Sequence, residues 1–173
     1  GFATVVGMGQ DAHMAAGSAE LLRHTGPLGT DISLPVDTFW PTWRSKQAIY
    51  YAFAAVTTLT GGLETYETLS ALAALLFALA GVGFFVLARE LLGSTVGAAA
   101  LAMAFAGLAR MSLHTVMHPY FNQTWGMLAF PFCFVAGWAL VRAPSWRSAG
   151  FFALFAGLLA LAYPVALPIA LLA

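Results

Sequence analysis

Long apolar runs separated by short polar breaks fill the second part of the chain. Four such runs lie at residues 69–88, 91–109, 125–141 and 149–173. Each is near the roughly 20 residues that a helix needs to cross a hydrocarbon core of about 30 Å. The breaks between them carry Arg89, Arg110 and Arg142. We therefore predict an all-α fold, a polytopic membrane helical bundle with about four spans over residues 69–173.

The preceding residues, 8–68, are more polar and read as a juxtamembrane loop. Within this loop, residues 12–24 place apolar and polar side chains on opposite faces of a helix, and residues 48–60 are a short apolar segment. We therefore predict one or two amphipathic helices in the loop. Residues 1–7 read as the end of a truncated first span, and the last apolar run stops without a polar break. We expect the chain to be the N-terminal portion of a longer protein, with the missing C-terminal part as its partner.

The composition strengthens the membrane prediction and excludes other classes of protein. The chain is 61% hydrophobic and 8% charged, against roughly 45–50% and 25% in soluble domains, and its mean hydropathy is +0.84. A soluble globule cannot cover its surface with so few charges. A net charge of zero provides no basic field for nucleic acid. The single cysteine, Cys133, excludes an internal disulfide and a cysteine metal cage.

The positive charges predict an orientation. Arg89, and later Arg142 with Arg147, end two loops that should face the cytoplasm, so residues 61–68 and 110–124 should face outward. Residues 48–60 leave two alternatives open. If they cross the membrane, residues 8–47 are cytoplasmic, which their positive charges favour. If they lie along the surface, as their length of about 13 residues favours, residues 8–47 are extracytoplasmic.

Asp11 is the first candidate for chemistry, because it opens the amphipathic stretch. Its carboxylate can cap the helix by accepting a backbone N–H. It can also act as a general base or hold a metal ion at the membrane surface. The local sequence leaves these interpretations open.

A second polar island lies between the predicted second and third spans. His114 and His118 are spaced to share a helix face, which suits a metal pair or interfacial hydrogen bonds. Tyr120, Asn122 and Gln123 follow. A phenol and two amides beside a helix break suit the recognition of sugar hydroxyls. An aromatic belt explains Tyr120 equally well, and a helix cap explains Asn122.

Two cations among aromatic residues form the third candidate. Arg44 and Lys46 lie between Trp40, Trp43 and Tyr50. This pattern suits a phosphorylated lipid headgroup, and it also suits anchors that locate the membrane interface.

Read in order, these features resemble the N-terminal half of the GT-C membrane glycosyltransferases, which use polyprenyl-phosphate sugars and include protein mannosyltransferases and the aminoarabinose transferase of lipid A. The family has an acid opening a juxtamembrane helix, a lysine before a short apolar helix, a Gly-x-x-Glu turn, a span ending around Leu-x-Arg, and an outer loop containing Tyr and Gln. The corresponding residues are Asp11, Lys46, Gly61 to Glu64, Leu87 to Arg89, and Tyr120 to Gln123.

The resemblance implies a fold, a site and a location. The large loop and residues 48–60 would lie on the extracytoplasmic surface, and the protein would be multi-pass in a bacterial plasma membrane. Asp11 would be catalytic. Lys46, Arg44, His13, Tyr120, Asn122 and Gln123 would bind the lipid-linked sugar donor. The resemblance leaves open whether the protein uses a divalent cation as a cofactor.

The alternative is a non-enzymatic polytopic membrane protein, either a transporter or an assembly subunit. Transporters tend to place ionisable groups near the middle of their spans. The four apolar runs of this chain carry almost no charge, and the polar groups gather between them. This distribution favours chemistry at a membrane surface over passage through the bilayer.

Overall fold

The structure is a computed structural model that describes residues 10–25, 41–117 and 120–168. Within these ranges every regular element is helical, which confirms the all-α prediction. The helices are α1 (Gln10–Thr25), α2 (Pro41–Leu59), α3 (Thr65–Glu90), α4 (Val96–Leu108), α5 (Arg110–Met117), α6 (Phe121–Arg142), α7 (Trp146–Ala162) and a short 3-10 turn, Pro164–Ala166.

Two of these helices, α3 and α6, are long and apolar enough to cross a membrane. They contain the first and third predicted spans with a few residues more at each end. The apolar helices α4 and α7, with 13 and 17 residues, are shorter. Length and composition thus mark two candidate spans among the described residues, and shorter apolar helices correspond to the other two predicted runs.

The helices within the second and fourth predicted spans differ in their bounds from the apolar runs. Residues 91–95 form a turn instead of helix, with Gly93 at φ +57°, a conformation that side chains with a Cβ rarely adopt. The fourth run is interrupted after Ala162, where Tyr163 has φ −147° and ψ 70°. Pro164 explains the break, because its ring disfavours helical geometry in the preceding residue.

The helices α3, α4, α6 and α7 form the bundle. The helix α6 packs most extensively on α7 and α3, while α4 packs on α3. Gly83 of α3 lets α6 approach closely, since a Cβ there would lie 2.6 Å from Cγ of Pro131. Pro131 lies within α6 and is itself fully buried.

The helices α1 and α2 pack against each other at one end of the bundle. This is the end where α3 and α6 begin and α7 ends, and we call it the covered end. Phe53 of α2 lies over Phe121, the first residue of α6, with 4.8 Å between the ring centroids. Buried residues of α1 and α2 join one core cluster with the outer halves of α3 and α6, namely Ala12, Ala15, Ala19, Leu22, Ile49, Tyr50, Phe53, Ala54, Leu69, Leu72 and Phe121.

The opposite end, which we call the turn end, contains the connections at residues 91–95 and 143–145. Each connection is stabilised by local side-chain bonds. The Thr95 hydroxyl accepts from Ala98 N at 3.2 Å. Ser145 and Ser148 exchange bonds of 3.0 Å between each hydroxyl and the other's backbone N–H, a reciprocal cap of the first turn of α7.

Candidate functional site

The site is built on the start of α6. Phe121 and Thr124 are both about 1% exposed and turn into the core. Since residues three apart lie on one face of a helix, the intervening Asn122 and Gln123 are turned away from that core contact and are half-buried. Tyr120 precedes the helix, and its carbonyl accepts from Thr124 N at 3.0 Å.

Tyr120, Asn122 and Gln123 meet in a cavity of about 110 Å³ between α1, α2 and α6. We call it the α1 cavity. Its other lining residues are Met14, Ala15, Tyr50, Phe121 and Tyr163. Packing thus brings three of the predicted sugar-contacting residues beside α1.

A second cavity, the α5 cavity, opens between α5 and the start of α6 and measures about 540 Å³. It is lined by Arg110, His114, Thr115, Tyr120 and Gln123. The rings of His114 and Tyr120 lie 5.8 Å apart across it. Each of these described side chains carries a polar group.

A third cavity, of about 300 Å³, is almost entirely apolar. Its lining residues are Phe84, Thr115, Gln123, Gly126, Met127, Phe130, Tyr163 and Ala166. Gln123 lines all three cavities, Tyr163 lines the α1 and apolar cavities, and Thr115 lines the α5 and apolar cavities. Gln123 therefore lies where two cavities with polar lining residues adjoin an almost entirely apolar one.

Four buried side-chain atoms among the described residues have no hydrogen-bond partner in the chain, and all four lie on helices at the covered end. They are Tyr51 Oη, Thr68 Oγ1, Asn122 Oδ1 and Trp125 Nε1. An unpaired buried polar group costs about 1–3 kcal/mol. Asn122 Oδ1 belongs to a residue lining the α1 cavity, so a hydroxyl donor in that cavity would relieve its cost.

A polar contact attaches the second half of α1 to the start of α3. The Glu20 carboxylate accepts from Arg23 Nη1 at 2.8 Å, pairs with His24 Nε2 at 2.8 Å, and accepts from the Thr65 hydroxyl. The Thr65 hydroxyl is the main reason that the pKa of Glu20 lies below its usual value. Burial raises this pKa by less than Thr65 lowers it, and the bonds with His24 and Arg23 lower it further. The sequence analysis predicted an amphipathic helix over residues 12–24 and did not indicate the contact between Glu20 and Thr65.

The structure describes the predicted site residues of α1 and α2 to different extents. Asp11 is the second residue of α1 as described. Its capping interpretation stays a prediction, because the residues before Gln10 lie outside the described part of the structure. One helical turn after Asp11 come Met14 and Ala15, which line the α1 cavity. The side chains of Asp11, Arg44 and Lys46 lie outside the described part of the structure. His13 is exposed and does not line any of these three cavities.

The metal interpretation of the second polar island is not tested, since His118 lies outside the described residues. Within the described ranges, no three His, Cys, Asp or Glu side chains come together as a metal site. The residue that sequence reasoning missed in this island is Arg110, noted there only as a charge in an outward loop. Its spacing of four from His114 was the available signal, because such residues share one face of a helix.

No family model, no curated protein and no solved structure matches the chain.

Proposed function

We propose that the chain is part of an integral membrane glycosyltransferase, which transfers a sugar from a polyprenyl-phosphate-linked donor to an extracytoplasmic acceptor. The observation that carries this proposal is the position of Gln123. It lines two cavities that have polar lining residues and one that is almost entirely apolar, and α1, which contains Asp11, lines one of the first two. A donor with a polar sugar and a hydrocarbon tail needs these two environments side by side.

The lengths and charges of the helices support the proposed placement in a membrane. Two helices are long and apolar enough to span. In α3 and α6 the charged residues are Glu67, Arg89, Glu90 and Arg142, all in a first or last turn. This distribution favours chemistry at a surface over a transport pathway, in which ionisable groups lie within the spans.

In the proposed reaction, Asp11 deprotonates or orients the acceptor hydroxyl. Lys46 and Arg44 neutralise the phosphate that leaves with the lipid, which stabilises developing charge. Tyr120, Asn122 and Gln123 donate to or accept from the sugar hydroxyls. Asn122 Oδ1, buried and without a partner in the chain, is the acceptor that a sugar hydroxyl would satisfy.

The first test is Asp11→Asn, which keeps the size of the side chain and removes its basicity. Transfer of a labelled sugar from a polyprenyl-phosphate donor should fall by about 10²-fold or more, the usual contribution of a general base. Expression and membrane insertion should be unchanged. Glu90→Gln, an exposed carboxylate at the turn end, is the matched control and should keep full turnover. Near-normal turnover in Asp11→Asn would reduce this residue to a structural one.

The second test asks which side of the membrane residues 8–47 occupy. A cysteine at Ser45, in a Cys133→Ala background, is labelled with an impermeant maleimide in intact cells. Labelling before lysis is the expected result. Labelling only after lysis would separate Lys46 from the outer loop and reject the proposed site.

A further inference from the structure

The α5 cavity has the chemistry of an anion site. Its five lining residues supply a guanidinium, an imidazole, a hydroxyl, a phenol and an amide. Each of these groups can donate a hydrogen bond, and the described lining residues include no carboxylate. A guanidinium among such donors favours a negatively charged ligand.

Arg110 supplies the fixed charge. Its side chain is exposed, and the ion pairs found in the described part of the chain are those of Glu20 with Arg23 and His24. No described carboxylate therefore competes for the Arg110 guanidinium. Arginine stays charged at all physiological pH values and matches the oxygens of phosphate with two parallel donors.

The apolar cavity adjoins this anion site. It shares Thr115 and Gln123 with the α5 cavity and continues along Phe84, Met127 and Phe130. An apolar wall would not contribute to the binding of a free phosphate ion, because burying apolar surface is favourable only against another apolar group. The pair of cavities has the two environments of an amphiphile with one anionic head.

We propose that these adjoining cavities bind a phosphate ester carried on a hydrocarbon chain, with Arg110 contacting the phosphate and the chain lying along Phe84, Met127 and Phe130. The inference rests on the proposed function, which requires a lipid phosphate. It assigns the phosphate to α5 and the start of α6, in addition to the cations of α2. Arg110 is then the residue that selects phosphorylated lipids over neutral ones.

The test is a titration with dodecyl phosphate, followed by ³¹P NMR, of the chain in phosphatidylcholine nanodiscs. Wild-type protein should bind saturably. Arg110→Gln should weaken binding by about tenfold or more, the effect of losing one charge-assisted hydrogen bond. Arg110→Lys should restore part of the affinity. Arg147→Gln, which removes an exposed cation at the other end of the bundle, is the matched control and should bind as wild type does.

Competition distinguishes the sources of the phosphate. Dodecanol has the tail without the charge, and inorganic phosphate has the charge without the tail; neither should displace dodecyl phosphate at equal concentration. Ala166→Phe, which fills the apolar cavity, should weaken dodecyl phosphate binding. Equal displacement by dodecanol, equal displacement by inorganic phosphate, or unchanged affinity in Arg110→Gln would each overturn the proposal.

Failure of the lipid-phosphate proposal is distinguishable from failure of the proposed enzyme function. Loss of transfer in Asp11→Asn together with unchanged binding in Arg110→Gln rejects the Arg110 site and keeps the transferase. Full transfer in Asp11→Asn together with weakened binding in Arg110→Gln rejects the role of Asp11 and keeps the lipid-phosphate site.

Discussion

The two ends of the bundle satisfy their polar groups in different ways. At the turn end, partners are close in sequence: Arg89 donates to the Ser94 carbonyl at 2.7 Å, and the Ser94 hydroxyl donates to the Ala88 carbonyl at 2.7 Å. At the covered end, Glu20 meets Thr65 across 45 residues. All four buried polar atoms that lack a partner among the described residues also lie there.

We interpret this difference as one between a structural closure and the proposed functional surface. Short turns with local hydrogen bonds connect one helix to the next, and none of the buried unpaired atoms among the described residues lies there. Unpaired buried groups are kept in native proteins at a cost in stability, and they need an explanation such as ligand or water binding. For Asn122 Oδ1, the α1 cavity that this residue lines provides such an explanation at the covered end.

The largest expected effect on stability comes from a glycine of α6 that packs against Tyr163, the residue after α7. A Cβ at Gly126, at the covered end, would lie 2.6 Å from Cβ of Tyr163, which cannot move without its backbone. Gly126→Ala should lower the free energy of unfolding by about 2–3 kcal/mol through overpacking. The measurement is thermal unfolding in detergent, followed by tryptophan fluorescence.

Gly137→Ala is the matched substitution nearer the turn end. Its Cβ would meet the edge of the Phe152 ring at 3.2 Å, and a ring can rotate. The gain in helix propensity of about 1 kcal/mol should offset this contact and leave stability nearly unchanged. Equal losses for the two variants would show that the two ends do not differ in packing.

A smaller effect, of opposite sign at the two ends, should follow from changing one polar residue at each. Asn122→Leu removes a buried unpaired acceptor and should raise the free energy of unfolding by about 1 kcal/mol, while lowering sugar transfer. Thermal unfolding and turnover are measured on the same preparation.

Ser145→Ala is the comparison for Asn122→Leu. It removes the cap of α7 and should lower stability by about 1 kcal/mol with turnover kept. A loss of stability in Asn122→Leu would mean that Asn122 has a structural partner, and the contrast between the ends would weaken.

The smallest effect is the pH dependence of α1 docking. The pKa of Glu20 is lowered in the folded chain, chiefly by the Thr65 hydroxyl. Its stabilising contribution is therefore full above the pKa of the unfolded state and is lost as the pH falls through the lower, folded pKa. Because Glu20 is partly exposed, we expect less than about 1 kcal/mol.

Amide hydrogen exchange of α1 between pH 6 and pH 3 measures this contribution. Exchange should speed up toward acid in the wild-type chain, beyond the intrinsic pH dependence of amides, and should show no such excess in Glu20→Gln. Glu90→Gln at the turn end should behave as wild type. An excess that persists in Glu20→Gln would assign the acid response to another carboxylate.

Much of the helical content was predictable from short-range signals in the sequence. The apolar runs around residues 69–88 and 125–141 became the two long helices, and the amphipathic stretch after Asp11 became α1. The failures came where a local break outweighed hydropathy. Gly93 and Pro164 interrupt apolar runs that a count of hydrophobic residues treats as continuous.

The candidate site was predictable in part. Tyr120, Asn122 and Gln123 are adjacent in the chain, so their shared position followed from the sequence. Their meeting with Met14, Tyr50 and Tyr163 did not, because those residues approach through the packing of three other helices. The sequence showed Arg110 as a charge but did not indicate the cavity that this residue lines.

The sequence by itself determined where helices form and which segments are apolar, since both depend on residues within a few turns of one another. Only the tertiary structure decided that Gln123 lies between polar and apolar cavities and that Thr65 lowers the pKa of Glu20. Such contacts join residues tens of positions apart. They depend on how closely helices pack, which glycines such as Gly83 and Gly126 set through the space that a missing Cβ leaves.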